Sequence, residues 1–161
     1  MSGEKKVEIR ASRIAGRGVF ALAVIRQGET IFEPCVRVVH TRSRYTQANA
    51  RTGQHMLAVG PRRWIGTARN DPLWNLNHSC APNACIRNVS TCVALRKIQP
   101  GEEITIDYTL TEEDEYWEMS PCRCRSRKCR HVIISLPLMP QDFRRRHRSH
   151  VANWLKLYTL V

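Results

Sequence analysis

The sequence predicts a mainly β protein with short helices, one of them at the C-terminal end. Short runs rich in β-branched residues alternate with turns that contain glycine or proline, and little of the chain has helical periodicity. The 161 residues, 42% of them hydrophobic, are enough for one domain with one core. Because aromatic residues make up only 7%, that core is expected to consist mainly of aliphatic side chains.

The first half of the chain contains four predicted strands. They cover residues 7–10, 19–21, 30–39 and 63–67. Gly16 and Gly18 frame the turn before the second strand, and Gly28 marks the next turn. Pro34 predicts an edge position or a break within the third strand, because proline cannot donate to a sheet ladder. Residues 45–59 lack strand alternation, which predicts a loop or a short helix.

Turn signals dominate the second half of the chain. A turn or helix start is predicted at residues 70–72, strands at 83–88 and 91–96 around a turn at 88–90, a further turn at 99–102 and a strand at 103–108. Residues 141–161 predict a basic C-terminal helix. Its apolar side would comprise Phe143, Val151, Trp154, Leu155 and Tyr158.

Charge is strongly positive overall and is segregated along the chain. The formal charge of +12 and a pI near 10.0 predict an anionic partner or surface. Residues 101–120 contain no Lys or Arg but eight of the fourteen acidic residues, and the segments that follow are rich in arginine. The basic C-terminal segment is therefore predicted to contact nucleic acid or an acidic protein face, with a charged surface helix as the alternative.

The hydropathy pattern predicts no targeting segment. The N-terminal residues are not followed by the apolar run of a signal peptide. No stretch approaches the roughly 18 consecutive apolar residues of a membrane helix. We therefore expect an intracellular protein without membrane contact.

A dense cysteine cluster predicts a metal site. Cys122, Cys124 and Cys129 follow the spacing C-x-C-x4-C, which lets three thiolates converge on one ion. Structural zinc takes four tetrahedral ligands, so one must come from elsewhere. The candidates are Cys35, Cys80, Cys85, Cys92 and His131. The alternatives are disulfides, which belong to oxidising compartments, and three unrelated cysteines.

Residues 77–83, with the sequence Asn-His-Ser-Cys-Ala-Pro-Asn, resemble the signature of SET-domain lysine methyltransferases. Three other segments resemble that family and occur in its order. Residues 16–18 resemble its glycine turn, residues 94–108 resemble the turn and strand that end in a catalytic tyrosine, and the cysteine cluster resembles its post-SET motif. The resemblance covers residues 7–135, and no cysteine-rich pre-SET region precedes them.

The resemblance implies a SET fold, which is β-clip-like and has several small sheets with a pseudoknot. Residues 1–119 would form the SET domain, and residues 120–161 would pack on it as one unit with a post-SET zinc segment and the basic helix. S-adenosylmethionine would be bound by Gly16, Arg17, Gly18, Asn77, His78 and Ile134. Structural zinc would be bound by Cys80, Cys122, Cys124 and Cys129. Tyr108 would be catalytic, and Ile106 and Tyr108 would line the substrate channel.

The implied reaction is an in-line displacement, in which a neutral lysine amine attacks the methyl group of a sulfonium. Holding lysine neutral at pH 7 costs roughly 4–5 kcal/mol. An apolar channel and the adjacent sulfonium both lower the lysine pKa, so no dedicated base is required. Ile106 stands where the family often has Phe or Tyr, and we hypothesise that it leaves room for more than one methyl group. Mass spectra showing strict monomethylation by both the native chain and Ile106→Tyr would contradict this.

The implied function is that of a protein-lysine N-methyltransferase that uses S-adenosylmethionine and acts on a histone or another Lys/Arg-rich protein. The acidic stretch at residues 102–118 would attract such a substrate, and a solvated acidic loop is the alternative. A histone substrate would place the protein in the nucleus or on chromatin. Two other functions stay open: a catalytically inactive, zinc-stabilised binding module with the SET fold, and a basic nucleic-acid-binding zinc protein.

Overall fold

The computed structural model describes residues 6–33, 38–41, 57–61, 63–66 and 70–159. Within these ranges the chain forms short strands, one α-helix and several 3-10 helices. The strands are β1 Val7–Ala11, β2 Arg17–Ala21, β3 Thr30–Phe32, β4 Val38–Thr41, β5 Leu57–Gly60, β6 Arg63–Gly66, β7 Asn77–His78, β8 Ala84–Arg87, β9 Thr91–Ala94, β10 Glu103–Ile106, β11 Glu118–Met119 and β12 Ile133–Ile134. The 3-10 helices are η1 Pro72–Asn75, η2 Tyr108–Thr111, η3 Leu136–Leu138 and η4 Asn153–Thr159, and the α-helix is α1 Gln141–Arg146.

The described strands pair into four small sheets. One sheet has the order β1-β2-β10-β7, and all its pairs are antiparallel except β10 and β7, which are parallel. Two three-stranded sheets have the orders β3-β9-β8 and β4-β6-β5, and β11 pairs with β12. This mainly β architecture of small sheets and short helices confirms the predicted fold class.

The described residues include two hydrophobic clusters. The larger cluster is built from aliphatic side chains of β1, β2, β3, β8, β9 and β10 and the turns between them. The smaller cluster joins Leu110 of η2 to Leu136, Val151 and Leu155. Burying each such side chain stabilises the fold by roughly 1.5–3 kcal/mol. The segment after residue 135 is therefore held against η2 by its own apolar residues.

Most of the predicted strands are confirmed. The hairpin predicted around residues 88–90 is the β8–β9 pair, and Asn88 takes the left-handed backbone that its tight turn requires, with φ of 51°. The strand predicted at residues 30–39 is present as β3 and β4, and Pro34 lies outside the described residues. The helix start predicted at residues 70–72 is η1, where the Asp71 side chain accepts from the N–H of Leu73 at 2.8 Å.

Two differences from the predicted strands have a clear physical reason. Residues 57–60, expected in a loop or short helix, form β5, because pairing with β6 provides a ladder that the local pattern does not reveal. The strand expected to reach residue 108 ends at Ile106. Asp107 stops it, because its carboxylate accepts from the N–H of Thr109 at 3.1 Å and caps η2.

The single helix predicted over residues 141–161 is wrong. The helix α1 ends at Arg146, and the next helical segment, η4, begins only at Asn153. Val151 and Leu155 are buried with Leu110 of η2, and this tertiary contact favours a break between α1 and η4 over one continuous helix. Phe143 and Trp154 are partly buried on the same cluster, and the side chain of Tyr158 lies outside the described residues.

The described helices are all short. None of them has the length and the apolar composition that crossing a membrane would require.

Candidate active site

A cavity of about 360 Å³ opens where three segments of the chain meet. Its walls are formed by residues 14–17, by residues 74–78 with Tyr108, and by Met119, Pro121, Arg123 and Cys124. Proteins hold small molecules in pockets of roughly 300–1,000 Å³. Two cations, Arg17 and Arg123, line the cavity, and no acidic side chain of the described residues does. The cavity therefore suits a small molecule that carries an anionic group.

Four residues predicted to bind a cofactor line this cavity: Gly16, Arg17, Asn77 and His78. Gly16 has φ of +44°, a conformation that favours glycine. Gly18 does not line the cavity, and a Cβ on it would lie only 2.2 Å from Oε1 of Glu103. Ile134 does not line it either, because it lies on β12, where its carbonyl accepts from Oγ1 of Thr109 at 2.8 Å. Cofactor contacts by Gly18 and Ile134 stay predictions.

The amide of Asn77 is the centre of a hydrogen-bond network under the cavity. Its Nδ2 donates toward the carbonyls of Ala15 at 3.2 Å and Arg17 at 3.0 Å, and toward Oε1 of Glu103 at 2.8 Å. The hydroxyl of Ser12 donates to the same carboxylate oxygen at 2.8 Å. Glu103 therefore fixes the loop before β2 against β7, and so sets the shape of one wall.

Tyr108 brings a hydroxyl to the cavity. That hydroxyl donates to the carbonyl of Leu76 at 2.7 Å, and the ring lies edge-on to Trp117 with 6.4 Å between centroids. Burial raises the pKa of Tyr108 above its usual value, so the side chain is neutral at physiological pH. The hydroxyl oxygen keeps a lone pair for a further hydrogen bond. Ile106, the other predicted channel residue, is 3% exposed in the larger hydrophobic cluster and does not line the cavity.

His78 connects Tyr108 to the cysteines. Its Nδ1 accepts from the backbone N–H of Tyr108 at 3.2 Å, and its Nε2 lies 3.2 Å from Sγ of Cys80. The pKa of His78 is lowered to about 4, chiefly by burial; the charge of Asp107 opposes this shift, and the charge of Arg130 adds to it. The ring is therefore neutral at pH 7. Because Nδ1 accepts, the ring proton belongs on Nε2, which points it at the sulfur.

Three of the four predicted zinc ligands converge with this histidine. Four possible ligand atoms lie within 4.8 Å of one another, and they belong to His78, Cys80, Cys122 and Cys124. The sulfurs of Cys80 and Cys122 are 4.0 Å apart. Sulfurs held by one tetrahedral zinc at about 2.3 Å lie about 3.8 Å from each other, so the spacing fits that ion. Cys129, the fourth predicted ligand, is not one of these four residues, and its sulfur lies 3.9 Å from the carbonyl oxygen of Cys122.

The thiols differ in acidity. Burial raises the pKa of Cys80 far above its usual value and that of Cys122 to about 11. Burial also acts to raise the pKa of Cys124, but hydrogen bonds from the backbone at Cys80 and Ser126 and from the neighbouring thiols lower it to about 7. A cation at the centre of the group would favour the thiolate at each position. The donor set therefore has the chemistry of a structural zinc site.

The other sequence candidates for the fourth ligand lie elsewhere. Cys85 and Cys92 are buried on β8 and β9. His131 is exposed and has φ of +64°, and its carbonyl accepts from the N–H of Cys122 at 2.7 Å. Cys35 lies outside the described residues. Among the described candidates, Cys80 is the one that joins the cluster.

Comparison with known proteins identifies the family. A model of the SET domain matches residues 16–109, which is more than half of the chain. The chain belongs to the SET-domain family. This SET domain is 31% identical over 140 residues to the histone-lysine N-methyltransferase trithorax of Drosophila virilis. The aligned region covers 79% of the chain and 4% of the relative.

Two further relatives have similar names. The histone-lysine N-methyltransferase TRX1 of Oryza sativa subsp. japonica is 31% identical over 144 residues, covering 80% of the chain and 14% of the relative. Histone-lysine N-methyltransferase 2D of Homo sapiens is 28% identical over 140 residues, covering 79% of the chain and 2% of the relative. The SET domain thus spans only a small part of the length of these curated relatives.

Sequence reasoning missed an ion pair near the cavity, between Arg130 and Asp107. The guanidinium of Arg130 donates from Nη1 to Oδ2 of Asp107 at 2.7 Å and from Nη2 to Oδ1 at 2.6 Å. Arg130 follows the last cysteine of the cluster, where it is one of several basic residues and has no pattern that distinguishes it. The sequence does place an acidic residue, Asp107, directly before Tyr108. It does not indicate which of the many basic residues pairs with it.

Proposed function

We propose that this SET domain is an S-adenosylmethionine-dependent protein-lysine N-methyltransferase. The observation that carries the proposal is the cavity that is lined by both residues of β7, Asn77 and His78, and by Tyr108. When bound, S-adenosylmethionine supplies an electrophilic methyl group. Arg17 and Arg123 would pair with its carboxylate. The amide of Asn77 and the small Gly16 would allow the remaining part of the cofactor to approach the wall closely.

Tyr108 orients the substrate amine in this proposal. Its hydroxyl proton is donated to the carbonyl of Leu76, so toward a bound amine the oxygen would act as an acceptor. Because its pKa is raised, Tyr108 does not serve as a base at neutral pH. The side chain therefore acts by alignment, and alignment of two reactants accounts for a large part of the acceleration of such a displacement.

The surroundings of Tyr108 favour a neutral lysine. Trp74, Leu76 and Met119 line the same cavity, and Trp117 packs on the Tyr108 ring. An apolar environment disfavours the charged form of an amine and lowers its pKa. Lysine can thus reach the reactive form at pH 7 without a dedicated base.

The zinc assignment is part of the proposal. Cys80, Cys122, Cys124 and Cys129 would hold the ion, with His78 beside it as a hydrogen-bond partner of Cys80. Binding of the ion would hold the segment after β11 next to the cavity, since Cys124 also lines that cavity. Zinc would thereby stabilise the cofactor site without entering the chemistry.

The proposed substrate is a Lys/Arg-rich protein segment such as a histone tail, with action at chromatin. The relatives are named histone-lysine methyltransferases. The acidic residues Glu113, Asp114 and Glu115 lie close in sequence to Trp117, which contacts Tyr108. Such a cluster attracts a basic segment and raises its rate of encounter.

The test is methyl transfer from labelled S-adenosylmethionine to histones and to a whole-cell lysate, together with calorimetric binding of the cofactor. We expect the native SET domain to bind the cofactor and to methylate. Tyr108→Phe is expected to bind the cofactor with similar affinity but to lose about 100-fold in kcat, because it lacks the aligning hydroxyl. Tyr116→Phe is the matched control, since Tyr116 is 89% exposed, and it should keep full activity.

Each other outcome favours an alternative. Cofactor binding without methylation of any substrate would indicate an inactive binding module. Tight, salt-dependent affinity for nucleic acid without cofactor binding would indicate a nucleic-acid-binding zinc protein. Equal kcat for the native protein and Tyr108→Phe would show that the Tyr108 hydroxyl does not align the substrate amine.

A further inference from the structure

The geometry points to Arg130 as a positioning residue that couples the cysteine cluster to Tyr108. It rests on the proposed function, because Tyr108 is the residue that would align the substrate. The side chain of Arg130 is 20% exposed, and that of its partner Asp107 is 2% exposed. A two-point guanidinium–carboxylate contact of this burial fixes direction as well as distance.

Asp107 carries the effect to Tyr108. It is the residue between β10 and η2, and its Oδ1 also accepts from the N–H of Thr109 at 3.1 Å. The same oxygen lies 3.6 Å from Nδ1 of His78, the atom that accepts from the N–H of Tyr108. Holding the carboxylate therefore sets the start of η2, and with it the direction in which the Tyr108 side chain leaves the backbone.

Arg130 makes three further contacts that anchor it from the other side. Its backbone N–H donates to Sγ of Cys80 at 3.3 Å, and its Nη2 donates to Oγ1 of Thr109 at 3.1 Å. Its guanidinium carbon lies 5.2 Å from the centre of the Phe143 ring in α1. One residue thus touches the cysteine cluster, the η2 helix and α1, so a displacement of the cluster is transmitted to Tyr108.

The decisive variant is Arg130→Lys, which keeps the charge but removes the planar fork that holds both carboxylate oxygens. Asp107→Asn removes the charge from the other partner. Arg127→Lys is the matched control, because Arg127 lies exposed in the same loop. Each protein is measured for kcat and KM per folded molecule, for zinc content and for amide hydrogen exchange by NMR.

We expect Arg130→Lys to lower kcat about tenfold or more, because small displacements of an aligning group cost that much. The KM for the peptide should stay within about threefold, since peptide binding is set elsewhere. The Tyr108 amide should exchange about tenfold faster, while amides of β1 and β2 keep their native rates. The double variant Arg130→Lys/Asp107→Asn should lose no more kcat than the less active of the two single variants, because the two residues act as one unit.

Other outcomes overturn the assignment. Native kcat and native Tyr108 exchange in Arg130→Lys would mean that the pair does not position Tyr108. Faster exchange throughout β1 and β2 with unchanged kcat per folded molecule would mean that Arg130 is merely structural. If the native SET domain itself transfers no methyl group, the proposed function fails, and the exchange rates alone decide whether Arg130 holds Tyr108.

Discussion

Glu112 is a carboxyl that the fold buries next to other acids. It is 7% exposed, and burial raises its pKa to about 7. Its Oε1 accepts from the N–H groups of Glu113 at 3.0 Å and Asp114 at 3.1 Å, which lowers the pKa, while the charges of these two residues raise it. Burial outweighs the two hydrogen bonds, so the folded state binds a proton at Glu112 more tightly than the unfolded chain does.

This raised pKa predicts a pH dependence of stability. As pH rises from 4.5 through about 7, the unfolded chain loses the Glu112 proton first, so the free energy of unfolding falls and then levels off. Glu112→Gln keeps an acceptor for both N–H groups and removes the charge. We expect it to be more stable than the native protein above pH 7 by roughly 1–3 kcal/mol, and equally stable near pH 4. Urea unfolding from pH 4 to 8 measures this, with the exposed Glu115→Gln as control. Parallel curves for native protein and Glu112→Gln would refute the assignment.

Gly18 is required by the carboxylate beside it. A Cβ at this position would lie 2.2 Å from Oε1 of Glu103 and 3.1 Å from Nδ2 of Asn77. The carboxylate would have to leave its hydrogen bonds with Asn77 and Ser12. Gly18 does not line the cavity, but its lack of a side chain leaves room for the carboxylate that holds Asn77, which does line it.

Gly18→Ala is therefore expected to cost about 1–3 kcal/mol of stability, because it breaks a partly buried hydrogen-bond network. It should also weaken binding of S-adenosylmethionine, because Asn77 loses its orientation. Gly28→Ala is the control, since Gly28 has φ of +79° and open space around it, so it adds backbone strain alone. Thermal unfolding and calorimetry measure both effects. An affinity loss as large in Gly28→Ala would show that instability, and not Asn77, is the cause.

At the scale of elements, the parallel pairing of β7 with β10 creates the site. Thr105 lies beside Asn77 and Ile106 beside His78, so the two chain segments run side by side and end together. Ser79 continues the pairing, because its N–H donates to the carbonyl of Ile106 at 2.9 Å. Tyr108 thereby reaches His78 although 30 residues separate them.

The predictability of these elements follows from the range of the interactions that form them. Glycine, proline and asparagine turns are local, so the sequence locates the β8–β9 hairpin and the turn at Gly101. β5 depends on a partner strand, and the end of β10 depends on a capping carboxylate, so neither follows from periodicity. The same reason applies to the site. Tyr108 and the cysteines belong to local motifs and can be proposed from the sequence, whereas the Arg130–Asp107 contact joins distant residues and cannot.

The acidic segment Glu113–Glu115 supports an element-scale prediction. These three residues are at least partly exposed, unlike Glu112. Replacing them by Gln, Asn and Gln is expected to raise the KM for a basic peptide severalfold at low salt, because a local attraction is lost. Near 0.5 M salt the difference should vanish, because screening removes the attraction in both proteins. Peptide kinetics across salt concentrations measure this, and equal KM values at low salt would leave the segment as a solvated loop.

At the scale of the whole molecule, the cysteine cluster joins chain segments that lead to two different hydrophobic clusters. Cys80 follows β7, which belongs to the sheet over the larger cluster, and the other cysteines lie between β11 and β12. Leu136, shortly after β12, belongs to the smaller cluster with η2. A metal at the cysteines would therefore close a loop whose two ends are already packed, and would order the segment between them.

Zinc removal is expected to loosen this segment and spare the larger core. Chelation should release about one zinc per chain, and in hydrogen exchange residues 119–134 should lose protection while β1, β2, β8 and β9 keep theirs. The affinity for S-adenosylmethionine should fall as well, since Cys124 and Arg123 line the cavity. Cys122→Ser should reproduce the chelated state.

His78→Gln should retain zinc, because the proposed ligand set is the four cysteines. If zinc content falls in His78→Gln but is native in Cys129→Ser, the fourth ligand is His78 and not Cys129. The structure makes this a real alternative, because the ligand atom of His78 lies within 4.8 Å of those of Cys80, Cys122 and Cys124.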